Sequence, residues 1–419
     1  MSATDFQGGD PQGRWAALGI LAAALLLAMT TWFSATAVVP QLAAQLELSS
    51  AARPWLTIVV QLGFVVGALL SAATGLADAM SPRRLMLLGA LGAGAANLSI
   101  LLAMDAGSVI TLRFLTGVFL AVVYPPAMKA MATWFRTGRG VALGVMVGAL
   151  TLGSATPHLI NGLGGLDWRL VISVTSLLTV AGGLIAELVA RDGPFAFSRM
   201  VFSPRQAIRA FRRRSVVLAS LGYFGHMWEL YAMWAWIGIF LNSAFLAQGR
   251  TDATRQAALW TFGVIGIGAV GCAAAGALAD RAGRIRSTVL MMGLSGSCAL
   301  VIGWLRTGPM WLLLAVALLW GFTIVADSAQ FSTIVTEVAD QAYVGTALTL
   351  QLALGFTLTM ATIWLIPIAV NHAGWPAAFG FLAVGPALGI VSMLVLGRSD
   401  DVALVPVADR GVGSQGKAP

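Results

Sequence analysis

Twelve apolar segments, in two sets of six divided by an arginine-rich stretch, organise almost all of these 419 residues. They run approximately over 17–39, 56–77, 85–103, 108–132, 140–161, 170–189, 217–241, 259–279, 287–304, 310–333, 344–368 and 375–396. A bilayer core asks for about 20 largely apolar residues per helix. Within it each segment must satisfy its own backbone polar groups. Runs of this length, repeated this often, predict an all-α integral membrane protein with twelve transmembrane helices. Composition excludes a large soluble protein of buried helices: 10% of the residues are charged, against about a quarter in soluble domains.

The first segment is too long for a secretory leader. It follows a single basic residue, Arg14, and runs into Thr36-Ala37-Val38-Val39-Pro40, so a retained helix is expected. Cys272 and Cys298 both fall inside apolar segments and read as small apolar filler.

Charge sets the orientation. With both termini on one side, that side receives 19 of the 25 Lys and Arg residues and the other side 6. Positive loops stay in the cytoplasm, so both termini are expected there, in a bacterial inner membrane. The central stretch from Arg191 to Arg214 alone holds seven arginines and one aspartate. The net charge of +8 is then accounted for by topology and anionic headgroups, and no nucleic-acid partner is expected. The expected organisation is a cytoplasmic tail over 1–16, a six-helix bundle over 17–189, a basic linker over 190–216, a second bundle over 217–396 and a tail over 397–419.

The two halves repeat one design. The loop after the second segment contains Asp78, Arg83 and Arg84, and the loop after the eighth contains Asp280, Arg281, Arg284 and Arg286. Such clusters can cap helix ends and join neighbouring helices by charge-assisted contacts. A weaker echo links Asp167-Trp168-Arg169 with Gly374-Trp375.

These residues resemble the loop motif of the major facilitator superfamily, and the resemblance covers roughly residues 15–398. Gly276, Asp280, Arg281, Gly283 and Arg284 match it as Gly-x-x-x-Asp-Arg-x-Gly-Arg, whereas the first copy has Thr74, Ala79 and Ser81 in place of glycine, arginine and glycine. Arg113-Phe114-Leu115-Thr116-Gly117 with Pro125 and Trp134-Phe135 is similar to the family's fourth-helix pattern. Gly144, Gly148, Gly153 and Pro157 loosely resemble its antiporter motif, although small residues also serve plain helix packing. The resemblance implies two bundles rocking around a midplane site, with Asp78, Arg83, Arg84, Asp280, Arg281 and Arg284 as gating residues. Segments seven, ten and eleven also look similar to bacterial cyanate and nitrate/nitrite-type porters. The glycine-asparagine-glycine nitrate signature is missing and only one arginine is embedded, which disfavours nitrate itself.

Few ionisable residues lie inside the segments, and such residues mark functional sites by default. Arg113 either snorkels to the outer interface or faces inward to bind an anion or couple protons. Tyr124 lies on about the same stripe, while Lys129 reads as an interface anchor. In segment seven, His226 and Glu229 share a helical face. Counting 1.5 Å per residue from Val217 puts Glu229 roughly 18 Å deep. A lone carboxylate there is costly, so the pair is read as mutually satisfied, proton-coupling or substrate-binding. Trp228, Tyr231, Trp234 and Trp236 can shape an amphipathic pocket or belong to the aromatic belt. Asp327 is expected to hold a cytoplasmic gate to an arginine such as Arg139 or Arg281, or to transfer protons. Gln351, Gly355 and Thr359 form one stripe, with Gln351 a modest site candidate; Thr31, Ser34 and Gln61 read as helix-bridging groups.

The combination predicts a monomeric secondary transporter, proton-coupled, of a small organic anion or amphipathic metabolite. Its partners are the solute, protons and membrane lipids. A multidrug proton antiporter is the alternative, and a non-transporting receptor a minor one. No enzyme and no cofactor are expected: His-x-x-Glu is not the His-Glu-x-x-His zinc pattern, and no Gly-rich nucleotide loop ending in Gly-Lys-Ser/Thr occurs.

Overall fold

The computed structural model describes residues 11–49, 51–195, 211–339 and 344–399, with only the backbone of Ala77 and Asp78. Most of the expected linker and both tails therefore lie outside the described residues. Within them, eleven helical stretches are long and apolar enough to cross a bilayer. We label them α1 (Arg14–Thr31), α2 (Trp55–Ala73), α3 (Pro82–Leu102), α4 (Ala106–Ala132), α5 (Arg139–Leu163), α6 (Trp168–Leu188), α7 (Arg214–Ala247), α8 (Ala253–Ala282), α9 (Arg284–Thr307) and α10 (Met310–Val338). The last stretch, Val344–Leu396, carries two of the expected segments. Gly374 breaks it with φ 76° and ψ 179°, a conformation glycine adopts without steric cost. The result is α11 (344–373) and α12 (375–396), and twelve spans.

The first six helices pack chiefly on one another through α2–α4, α3–α6, α1–α6 and α1–α5. The last six do the same through α7–α12, α7–α11, α9–α12 and α9–α10. Two seams join the lobes, α5 against α8 and α2 against α11. Large aliphatic residues such as Leu177, Leu388 and Val391 stand exposed on the outer surface, as a lipid-facing surface requires. The face reached by the starts of α1, α3, α5, α7 and α9 carries the arginine-bearing turns and is called the basic face below.

The α5–α8 seam depends on absent side chains. A Cβ at Gly140 would stand 2.5 Å from Asp280 Oδ1, one at Gly144 2.6 Å from the Cys272 carbonyl oxygen, and one at Gly148 3.0 Å from that of Ala269. The three glycines fall on one stripe at spacings of four, so the backbones of the two lobes meet directly. Gly153 faces Leu26 of α1 instead. The glycines of α5 thus serve close packing, the plainer of their two sequence readings.

Several helices are interrupted along their length, α8 at Ile267 and α12 at Ala383 by one residue each, and three others by a break of three or more residues. The α-helical part of α1 ends at Ala28, a 3-10 turn covers Met29–Thr31, and short helices resume at Ser34–Ala37 and Val39–Gln45. In α4 the break lies between Leu120 and Tyr124, before Pro125 and Pro126. In α10 it lies between Ile324 and Ser328. Broken helices inside a membrane are tolerated only where protein or a cavity satisfies the freed backbone groups.

Candidate functional site

A cavity of about 60 Å³ lies between the lobes, walled by α1, α4, α5, α7, α10 and α11. Ligand pockets run to roughly 300–1,000 Å³, so this space is contracted relative to one that holds a ligand. Trp32, Tyr231, Trp234 and Phe356 line one end. With Phe33 and Phe64 they form a ring cluster, and five of its contacts cross between lobes: Trp32–Tyr231 6.0 Å, Trp32–Phe356 5.7 Å, Phe33–Tyr231 6.1 Å, Phe33–Trp234 5.8 Å and Phe64–Phe356 4.7 Å. Toward the basic face the wall continues through Met128, Leu143 and Ser332, with the Tyr124 and Tyr223 rings between. Among the described residues, no charged side chain lines it.

Arg113 is fully buried and bonds to backbone rather than lining the cavity. Its Nη1 donates to the Thr31 carbonyl at 2.8 Å, Ser34 Oγ at 3.1 Å and Asn97 Oδ1 at 3.2 Å. Nε donates to the Leu56 carbonyl at 3.3 Å, and Nη2 to the Trp32 carbonyl. The guanidinium therefore replaces the helical hydrogen bonds that α1 loses at its break. Neither sequence reading, snorkelling or an inward-facing anion site, anticipated this. Asn97 is fixed in turn by Ser176 Oγ at 2.9 Å and accepts from Ser34 Oγ at 2.7 Å.

The second lobe buries three titratable side chains. His226 Nδ1 lies 2.9 Å from Asp327 Oδ1, within ion-pair range but without hydrogen-bond alignment, and His226 Nε2 is buried with no partner. Asp327, expected opposite an arginine, thus faces a histidine; Arg139 Nε is spent on the Phe135 carbonyl at 2.9 Å. Asp327 sits at the α10 break, and the chain neighbours of the pair, Met227 and Ser328, line the cavity. Glu229 points away from His226, between α9 and α10, where Ser295 Oγ and Trp320 Nε1 each donate to it at 2.7 Å. Among the described residues, no cation stands within ion-pair range of it. An indole N–H only donates, whereas a serine hydroxyl can donate or accept. A proton added to Glu229 therefore belongs on Oε2, with Ser295 turning from donor to acceptor and the Trp320 bond unchanged.

The other candidates divide. Tyr124 and Tyr231 line the cavity. Trp228 turns outward, its Nε1 donating to the Phe381 carbonyl at 3.2 Å, and Trp236 donates to the Ile363 carbonyl at 3.0 Å. Gln351 is buried with its Nε2 unpartnered, while its neighbour Leu352 lines the cavity. On the basic face, Arg83 reaches Asp192 at 3.2 Å and the Ala190 carbonyl at 3.1 Å, and Arg84 lies 3.6 Å from Glu187. Arg284 lies 2.7 Å from Glu337. These arginines tie α3 to the end of α6, and α9 to the end of α10, each within its own lobe. Among the described residues, the lobes meet here where Asp280 and Gly276 pack against Gly140. The side chain of Asp78 lies outside the described residues. Where the first loop copy carries Ser81 for glycine, Ser81 caps α3 by accepting the Arg84 amide at 3.4 Å; Gly283, in the second copy, precedes α9 with φ 91°.

A family model described as Major Facilitator Superfamily matches residues 20–358. The chain belongs to the major facilitator superfamily. Major facilitators are membrane transporters, not enzymes, and this one is a multi-pass member. It is 34% identical over 191 residues to the puromycin resistance protein pur8 of Streptomyces alboniger, across 44% of this chain and 37% of that protein. To the probable sulfoacetate transporter SauU of Cupriavidus necator it is 26% identical over 354 residues, 77% of this chain and 73% of that one. To the multidrug efflux pump LfrA of Mycolicibacterium smegmatis it is 31% identical, over 44% and 38%. The chain thus spans well under half the length of pur8 and LfrA. The crystal structure of the human organic anion transporter MFSD10 superposes with a TM-score of 0.71 at 14% identity, covering 92% of this chain and all of that one; it supports the fold.

Sequence reasoning missed Trp32, Asn97, Ser295 and Trp320. Asn97 carried a signal, as the lone amide of its segment. Trp32 and Trp320 carried none, since tryptophan is common in apolar helices and its partner depends on tertiary packing.

Proposed function

We propose that this facilitator is a proton-coupled transporter of an amphipathic, aromatic organic solute, oriented with its basic face in the cytoplasm. The observation that carries the reading is the buried His226–Asp327 pair directly behind the wall of an aromatic cavity between the lobes. Solute moves through that cavity by alternating access. Protons exchange at His226, Asp327 and Glu229, where each protonation state changes what the α7, α9 and α10 side chains can donate and accept. Widening the cavity separates rings contributed by opposite lobes, so proton and solute act on the same seam. The puromycin and multidrug names of two relatives agree with an aromatic, amphipathic cargo. Arg113 holds the bend of α1, and Asp280 against Gly140 closes the seam at the basic face; Arg83, Arg84 and Arg284 brace each lobe.

A small organic anion is the second reading, favoured by the match to the probable sulfoacetate transporter over most of both chains. Proteoliposomes separate the two. Flux of puromycin, but not of sulfoacetate, is expected to follow an imposed pH gradient and to fall when an ionophore collapses it. Sulfoacetate flux alone would replace the first reading by the second, and gradient-independent flux of either would end the proton coupling.

A further inference from the structure

We propose that Trp32 and Trp234 form a latent hydrogen-bonding subsite for a carbonyl-type oxygen on a planar aromatic solute. The proposal rests on the reading of the cavity as the transport site and adds how the cargo is recognised. Both indoles line the cavity, both are about 1% exposed, and the Nε1 atom of each is buried without a partner. An indole nitrogen can only donate, and leaving such a donor buried and unbonded costs about 1–3 kcal/mol. Other tryptophans of these helices are not left so: buried Trp320 bonds to Glu229, and half-buried Trp228 and Trp236 bond to the Phe381 and Ile363 carbonyls.

The two orphans also occupy opposite sides of the moving seam. Trp32 belongs to the broken part of α1, in the first lobe, and Trp234 to α7, in the second. The Tyr231 ring stands between them, 6.0 Å from one and 5.4 Å from the other. In the contracted form the rings of Trp32, Phe33, Tyr231 and Phe356 fill the space an aromatic body would take. When the lobes part, the same faces are freed for stacking, and the two N–H groups become available to one acceptor oxygen held between them. With no charged side chain on the lining among the described residues, and every guanidinium nitrogen of Arg113 bonded to α1, α2 or α3, the acceptor is a neutral carbonyl rather than a carboxylate.

The test uses the full chain, purified in detergent without any pH gradient, and a pair of ligands of one shape. Acetylnaphthalene presents a carbonyl oxygen where isopropenylnaphthalene presents a methylene group. In thermal-shift titrations the ketone is expected to bind at least five-fold more tightly than the alkene. Trp32→Phe and Trp234→Phe keep the ring and remove the donor; each is expected to shrink the ketone preference to about two-fold or less, since one net hydrogen bond accounts for a few-fold in affinity. Equal binding of the two ligands by the unsubstituted protein overturns the proposal, and that comparison stands even if a variant fails to fold. So does a ketone preference that survives both substitutions. Tighter binding of naphthoate than of the ketone overturns the neutral acceptor. Loss of proton coupling in liposomes leaves this result untouched, so the two readings fail separately.

Discussion

The two lobes bury charge in opposite ways. In the first, Arg113 spends its guanidinium on three backbone carbonyls, one hydroxyl and one amide oxygen. In the second, His226, Asp327 and Glu229 are as deeply buried, yet His226 Nε2 and Asp327 Oδ1 have no hydrogen-bond partner. A group whose every bond is made holds one geometry, and a network with open valences can settle in more than one. On the proposed function, the first lobe is the fixed frame of the cavity and the second the side that responds to protons. The sequence offered both as candidates for the same job, and the bonding separates them.

Removing Arg113 is the severest way to break this comparison. Arg113→Gln removes the donor shared by the Thr31, Trp32 and Leu56 carbonyls, Ser34 Oγ and Asn97 Oδ1. Thr31 keeps Ser34 Oγ at 3.0 Å and Leu56 lies inside α2, so the orphaned group is the Trp32 carbonyl at the α1 break. That orphaned group costs about 1–3 kcal/mol, and the lost bonds from a charged donor about 1.5–3 kcal/mol each before relaxation, so a loss of roughly 3–5 kcal/mol is expected in chemical unfolding of the purified protein. Arg113→Lys keeps the charge but cannot fork to carbonyls on two helices, and is expected to recover less than half of that. If Arg113→Lys is as stable as the parent while its transport fails, Arg113 belongs with the responsive groups and the contrast collapses.

Next in size is the seam where the lobes meet. A Cβ at position 144 would overlap the Cys272 carbonyl, and relieving such a clash in a packed interface costs about 1–3 kcal/mol. Gly144→Ala is expected to push the lobes apart at α5–α8 and to raise the maleimide-labelling rate of buried Cys272 several-fold in a Cys298→Ser background. Unchanged labelling would mean the seam yields elsewhere and the glycine stripe does not set the spacing.

How far these features were legible follows from the type of information each one needs. Spans and doubled organisation depend on local hydropathy, so the sequence displayed them. The break in α1 was hidden because no proline or glycine marks Met29–Phe33; it exists through Arg113, a residue about eighty positions away. The partnering of His226 failed for a related reason. Helical spacing puts His226 and Glu229 on one stretch of α7, but Asp327 of α10 stands beside His226 while Ser295 of α9 and Trp320 of α10 bond Glu229, and spacing within one helix says nothing about neighbours. Tyr124 and Tyr231 line the cavity, and which stripe of a helix they occupy is a property of that one helix. Trp228, three residues before Tyr231, faces Phe381 of α12 because its side of the helix is covered by the lobe's own packing.

The responsive side is sharpened by substitutions that keep shape and remove protons. Glu229→Gln retains an oxygen for Trp320 and places an NH₂ beside Ser295, whose hydroxyl can accept. The fold is expected to persist, while flux driven by a pH gradient falls at least ten-fold and counterflow without a gradient continues. Asp327→Asn should behave alike. Since the gain or loss of a proton is the step removed, the flux of both variants should be flat with pH where the parent's rises with the gradient. A parent-like gradient response in Glu229→Gln and Asp327→Asn together would strip the second lobe of its proposed role.

The smallest effects are expected on the basic face, where both lobes carry the same device. Arg83–Asp192 and Arg284–Glu337 are partly exposed pairs, at side-chain exposures of 27% and 50% in the first and 26% and 26% in the second. Water and salt screen such pairs, and exposed examples contribute about 0.2–1 kcal/mol. Arg284 forms the shorter contact, with Nε also donating to Glu337 at 2.8 Å, whereas Arg83 adds the carbonyls of Glu187 and Ala190. Both Arg83→Gln and Arg284→Gln should therefore cost no more than about 1 kcal/mol. The Arg284 loss should shrink further in high salt, because its bonds are mainly to a carboxylate. The Arg83 loss should persist, because backbone carbonyls carry no net charge for ions to screen. Unfolding measured at low and high salt checks this directly. If both losses shrink alike, the two basic-face clusters are interchangeable, and the asymmetry between the lobes is confined to their buried charges.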